Sequence, residues 1–181
     1  MRLRRVVPRV NLQSNDFELF GLTQQFTQDR MALDARWKDL QREAHPDKFA
    51  AQGDAAQRVA MQWSVRINEA YQRLRDPLRR AAYLCELAGS PVNANSNTAM
   101  PATFLMQQMQ WREELEEARS DEAFAALRDN VDAAQRALLD ECATRIDALR
   151  DFPAAVHSVR AFMFVEKFGH DLDLAFDKLE I

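Results

Sequence analysis

Residues 36–50 read "RWKDLQREAHPDKFA", and the tripeptide His45-Pro46-Asp47 decides how the chain is laid out. A proline cannot continue the helix before it, and it keeps the preceding residue out of the α region, so the chain must turn at His45. Upstream, over about 29–44, Leu33, Trp37, Leu40 and Ala44 share one helical stripe, with Lys38 and Arg42 on the opposite side. Downstream, a helix beginning at Asp54, with Gln57 as a capping box, carries Ala56, Val59, Ala60, Trp63, Ile67, Ala70, Tyr71 and Leu74 as its apolar stripe. Two long helices joined at a rigid corner make a hairpin. A short helix, Asp16–Leu22, precedes them with Asn15 or Ser14 as its cap and Gly21 near its end. A fourth helix starts at Pro77 and closes at Gly89.

An imidazole and a carboxylate on such a corner have four readings: a catalytic pair, half a metal site, a docking point, or a plain helix stop. General acid–base work needs a pocket and usually a third group. The other histidines, His157 and His170, lie in the far half, and no serine or cysteine motif accompanies them. Four glycines cannot supply a phosphate loop, and no zinc-type spacing occurs. Cys85 and Cys142 sit in apolar helical contexts and read as small buried hydrophobes, which fits a reducing, cytoplasmic setting.

Composition is consistent with helices and a protein outside the membrane: 47 % apolar, 29 % charged and no apolar run near the ~20 residues of a membrane span. The basic start, "MRLRRVVPRV", lacks an apolar core and cleavage site, so residues 1–13 read as a flexible tail. Charge divides the chain. Residues 1–90 hold 15 Lys+Arg against 11 Asp+Glu (+4), and the remainder 9 against 17 (−8). "GSPVNANSNTAMP", Gly89 to Pro101, is the expected boundary, with a linker over 89–100.

Beyond it the spacing predicts a three-helix bundle over 101–181, with helices Pro101–Ala118, Ser120–Arg150 and Pro153–Leu179. The middle helix has Phe124, Leu127, Val131, Ala134, Leu138, Cys142, Ile146 and Leu149 as its seam. In the first, Phe104, Trp111, Leu115 and Ala118 face the core. Leu105, Met106 and Met109 lie about 100° to 200° around the helix from Phe104. Glu113, Glu116 and Glu117 share that second face, with Gln110 at its edge; an apolar patch rimmed by carboxylates is the composition of a partner surface. In the last helix Phe162, Val165, Phe168, Leu172, Phe176 and Leu179 form the seam, while Met163 and Phe164 are expected to point elsewhere. The fold class is all-α.

Residues 14–88, with "HPDKF", "INEAY" and "LRDPLRRAAYL", resemble the J domain, the module that docks on DnaK-class ATPase chaperones. With the acidic bundle, "FLM" and "REELEE", the chain resembles the HscB family, J-type co-chaperones of iron–sulfur cluster assembly. The resemblance implies a protein with no active site, cofactor or metal of its own. Its J domain would engage an HscA-like chaperone through His45, Pro46 and Asp47, flanked by Lys38, Arg42 and Lys48. Its bundle would hold an IscU-like scaffold protein through Leu105, Met106, Met109, Gln110, Glu113, Glu117 and Phe164. Two positions depart from the family pattern: Ala44, where many members carry an aromatic residue, and Gln110, where an acid is common. A monomer is expected, with no nucleic-acid partner, since three or four positive charges without interleaved aromatics make a weak nucleic-acid surface. The alternative is a general J-domain co-chaperone whose bundle binds other clients.

Overall fold

The computed structural model describes residues 11–92 and 100–178; residues 1–10 of the expected tail, 93–99 of the expected linker and Leu179 lie outside them. Among the described residues there are seven α-helices and no strand. They are α1 (Asp16–Phe20), α2 (Arg30–Glu43), α3 (Asp54–Arg75), α4 (Pro77–Leu87), α5 (Ala102–Glu117), α6 (Asp121–Ala143) and α7 (Phe152–Asp177), with a 3-10 helix at Pro46–Gln52 and a π-turn at Thr144–Ala148. The chain divides into two compact units, 1–80 and 81–181, so the divide falls within α4, earlier than the stretch 89–100.

In the first unit α1 is fixed at both ends by its own sequence. The Asn15 side chain accepts from the Glu18 amide while the Glu18 carboxylate accepts from the Asn15 amide, a complete capping box. Gly21 ends it in the left-handed region, at φ 65°. Phe17, Leu19 and Phe20 are buried with Leu33 and Leu40 of α2 and Ile67, Ala70 and Leu74 of α3. Asp16, next to the cap, is also fully buried, and its two oxygens meet Arg66 at 2.6 Å and Arg73 at 3.1 Å. Those arginines lie two turns apart on α3, so one carboxylate sets the register of α1 on α3. Arg66 also donates to the Ser14 carbonyl at 2.9 Å.

Two sequence expectations fail here. α3 has Gly53 as its cap residue with no side-chain hydrogen bond, so Gln57 forms no capping box. Val59 is 51 % exposed although it falls on the apolar stripe. Phe49 of the turn ahead of α3, with the small Ala55 and Ala56 of the first turn of α3, lines an open cleft of about 650 Å³ beside Val59 instead of covering it.

In the second unit the core is Trp111, Phe124, Leu127, Val131, Val165, Phe168 and Leu172. Trp111 stacks on Phe168 with centroids 5.3 Å apart. α6 does not run on to Arg150. It loosens into the π-turn, where the Leu149 amide bonds the Thr144 carbonyl at 2.9 Å, and Arg150 adopts φ 55°. That wider turn carries Leu149 off the seam, so it is 66 % exposed while Cys142 and Ile146 are fully buried. Asp151 then caps α7, accepting from the Ala154 amide at 3.1 Å.

Replacing a buried carboxylate strands two cations. Asp16→Ala should therefore cost about 3 kcal/mol in urea unfolding. Arg79→Ala, which loses only an exposed pair with Asp76, should leave the midpoint nearly unchanged; equal effects would refute the anchoring role of Asp16.

Candidate functional site

The corner between α2 and α3 is built from the inside outward. Trp37 of α2 stacks on Tyr71 of α3 at 4.7 Å and donates to the Asn68 side chain at 2.9 Å. Gln41, one turn on, donates to Asn68 at 2.7 Å and to the Ser64 carbonyl at 3.1 Å. Ser64 in turn donates its hydroxyl to the Ala44 carbonyl at 3.2 Å. The last turn of α2 is thereby tied to α3 by side chains that no apolar-periodicity argument selects. The signal for them was present: Gln41 and Asn68 are polar residues beside the inward stripes.

At Pro46 the helix must stop. Ala44 closes α2, His45 is extended at φ −64° and ψ 125°, and Pro46 opens the 3-10 helix at its first position. The Asp47 amide donates to the His45 Nδ1 at 3.3 Å. The same nitrogen lies 3.5 Å from the Asp47 carboxylate. The Lys48 amide bonds the His45 carbonyl at 3.1 Å. With its backbone held this way, the Asp47 side chain stands 88 % exposed. Lys38, Arg42 and Lys48 are exposed as well, although Arg42 is partly balanced by Asp39 at 3.3 Å. The small Ala44 lines the cleft between α2, the turn and α3.

The second candidate surface is on α5. Leu105, Met106 and Met109 are 46 %, 69 % and 64 % exposed, and Gln110, Glu113 and Glu117 are exposed on the same face. Gln110 donates to Glu114 at 2.8 Å. Phe164 is a correction. It does not point away from the core but is half-buried, edge-on to Phe104 at 5.6 Å and stacked with Phe168 at 6.3 Å. The Arg112 guanidinium lies over its ring at 5.9 Å. Phe164 therefore supports the edge of α5 next to Leu105 and offers only part of its ring outward.

Among the described residues no group of three or more His, Cys, Asp or Glu side chains could hold a metal ion. Nor is any helix of those residues long and apolar enough to cross a membrane.

Residues 100–173 match the family model described as the HSCB C-terminal oligomerisation domain. The chain is 51 % identical over 160 residues to the co-chaperone protein HscB homolog of Bordetella petrii, covering 88 % of this chain and 94 % of that one. It is 45 % identical over 174 residues to the homolog of Burkholderia multivorans, covering 94 % and 99 %. Among solved structures, chaperone HscB from Vibrio cholerae superposes with a TM-score of 0.78 at 37 % identity, covering 92 % and 99 % of the two chains. Human co-chaperone HscB superposes with 0.87 at 26 %, covering 95 % and 86 %. The chain belongs to the HscB family of co-chaperones.

The burial difference separates the two kinds of residue on the bundle. Phe164→Ala should lower the unfolding free energy by about 2 kcal/mol, since it removes the ring contacts to Phe104 and Phe168. Leu105→Ala should cost less than about 0.5 kcal/mol, and a large cost there would make Leu105 a core residue.

Proposed function

We propose that this chain is a two-surface adaptor of iron–sulfur cluster assembly. Its corner of His45, Pro46 and Asp47, flanked by Lys38, Arg42 and Lys48, docks on a DnaK-type chaperone of the HscA kind. Its face of Leu105, Met106, Met109, Gln110, Glu113 and Glu117, edged by Phe164, binds an IscU-type scaffold protein. The co-chaperone delivers the scaffold, stimulates ATP hydrolysis by the chaperone, and so promotes cluster transfer. It works in the cytoplasm as a monomer.

The observation that carries this reading is the exposed Asp47 carboxylate on a corner whose backbone is held by proline and by the ties to α3. Docking draws on that carboxylate as a charge-assisted acceptor, while the neighbouring cations steer the module to an acidic surface. Stimulation further requires that the corner bind the hydrolysis-competent state of the chaperone more tightly than its resting state, since equal binding would accelerate nothing. On the bundle, exposed Leu105, Met106 and Met109 supply apolar area, and Glu113 and Glu117 supply charge at the rim, the usual division of an interface. Carrying both surfaces on one chain raises the local concentration of scaffold at the chaperone without any new contact.

Asp47→Asn keeps the size and removes the charge. In a steady-state ATPase assay with chaperone and scaffold it should return hydrolysis to the unstimulated rate, with circular dichroism and scaffold affinity unchanged; full stimulation by the variant would refute the docking role. Leu105→Ala with Met109→Ala should weaken scaffold binding by about tenfold or more in a calorimetric titration. Unchanged affinity would move the scaffold site off α5.

A further inference from the structure

The oxidisable side chains of the described residues are sorted by depth. Cys85 and Cys142 are both fully buried, and burial pushes their thiols up to about 11 and about 12. Neither therefore offers a thiolate to an oxidant at neutral pH. The methionines are distributed the other way. Met31, Met61, Met106, Met109 and Met163 are exposed, and Met100 is half-buried. The core of neither unit contains a methionine among the described residues; it is built from Phe, Leu, Ile, Val, Ala, Trp, Tyr and the two protected cysteines. An oxidant reaching this chain would meet thioethers at the surface and leave the packing intact.

Two of those thioethers stand together. Met106 and Met109, 69 % and 64 % exposed, lie three residues apart on the α5 face that also presents Leu105. We propose that Met106 and Met109 are an oxidation-sensitive modification site that switches the α5 face from apolar to polar, with a peroxide as the oxidant; this rests on the reading of that face as the scaffold site. In the step, a thioether sulfur attacks one peroxide oxygen, an S–O bond forms and the O–O bond breaks. The sulfur gives up two electrons, and the other oxygen leaves with the proton of the transferred one as water.

The product oxygen is a strong acceptor on a surface meant to be desolvated. The rim carboxylates Glu113 and Glu117 are acceptors and offer that oxygen no hydrogen bond. The change is reversible by methionine sulfoxide reductases, so it gates hand-off without destroying the protein.

The test is calorimetric titration of the full chain with a purified IscU-type scaffold protein, before mild hydrogen peroxide treatment, after it, and after reductase. Peptide mass spectrometry confirms sulfoxide at both positions. Scaffold affinity should fall by about tenfold or more on oxidation and return with the reductase, with helicity unchanged throughout. The double variant Met106→Leu, Met109→Leu, compared only with itself, should change by less than about twofold although Met31, Met61 and Met163 still oxidise. Unchanged binding by wild type carrying both sulfoxides, an equal loss in the variant, or unfolding on oxidation would overturn the inference. Failure of the untreated wild type to bind the scaffold would overturn the scaffold reading and this inference with it, and is seen before any oxidant is added.

Discussion

The first unit depends on one covalent constraint, the pyrrolidine ring at Pro46. It removes an amide hydrogen, fixes its own φ and denies His45 the α region, so α2 cannot extend and the chain reverses within a few residues. The reversal sets α3 alongside α2, which lets Trp37 meet Tyr71 and lets Gln41 share Asn68 and Ser64. Those contacts in turn hold the Ala44 carbonyl through Ser64. The corner is thus determined twice, by its own ring and by the hairpin it creates. A short charged side chain at such a place keeps its direction without being buried, which is why Asp47 is both oriented and accessible.

Much of this was legible before any coordinates. Capping chemistry acts within four residues, so the start of α1 was legible as Asn15 or Ser14, of which Asn15 is the cap, while Gly21 ends the helix at Phe20 and not at Leu22. The stripes of Leu33 and Leu40, and of Ile67, Ala70 and Leu74, followed from the helical period, and so did the outward position of Leu105, Met106 and Met109. The misreadings share a cause, which is that periodicity specifies direction around a helix and nothing about what lies opposite. Val59 falls on the inward stripe, but it lines an open cleft with Phe49, Ala55 and Ala56 instead of being covered. Leu149 falls on the seam only if the helix stays α, and the π-turn breaks that assumption. Phe164 was placed by angle alone, whereas a ring of that length reaches sideways to Phe104. The role of Asp16 carried no local signal, because its two arginine partners are 50 and more residues away in the chain.

The two units differ in chemistry as well as in packing. The hairpin corner exposes Lys38, Arg42 and Lys48 around Asp47, while α5 exposes thioethers and a leucine beside carboxylates. Surfaces so unlike suit different partners, because electrostatic complementarity governs partner choice and encounter rate more than raw affinity. The proposed function needs that separation: if both surfaces favoured the same partner, the proposed coupling of scaffold delivery to ATP hydrolysis would fail.

The separation can be measured directly by sedimentation of equimolar ATP-bound chaperone, scaffold and co-chaperone, with the chaperone made unable to hydrolyse ATP. A single species carrying one copy each of chaperone, co-chaperone and scaffold is expected, with each partner leaving the other's affinity for the co-chaperone intact. Displacement of the scaffold from the co-chaperone by the chaperone, leaving only binary complexes, would contradict two independent surfaces on one chain.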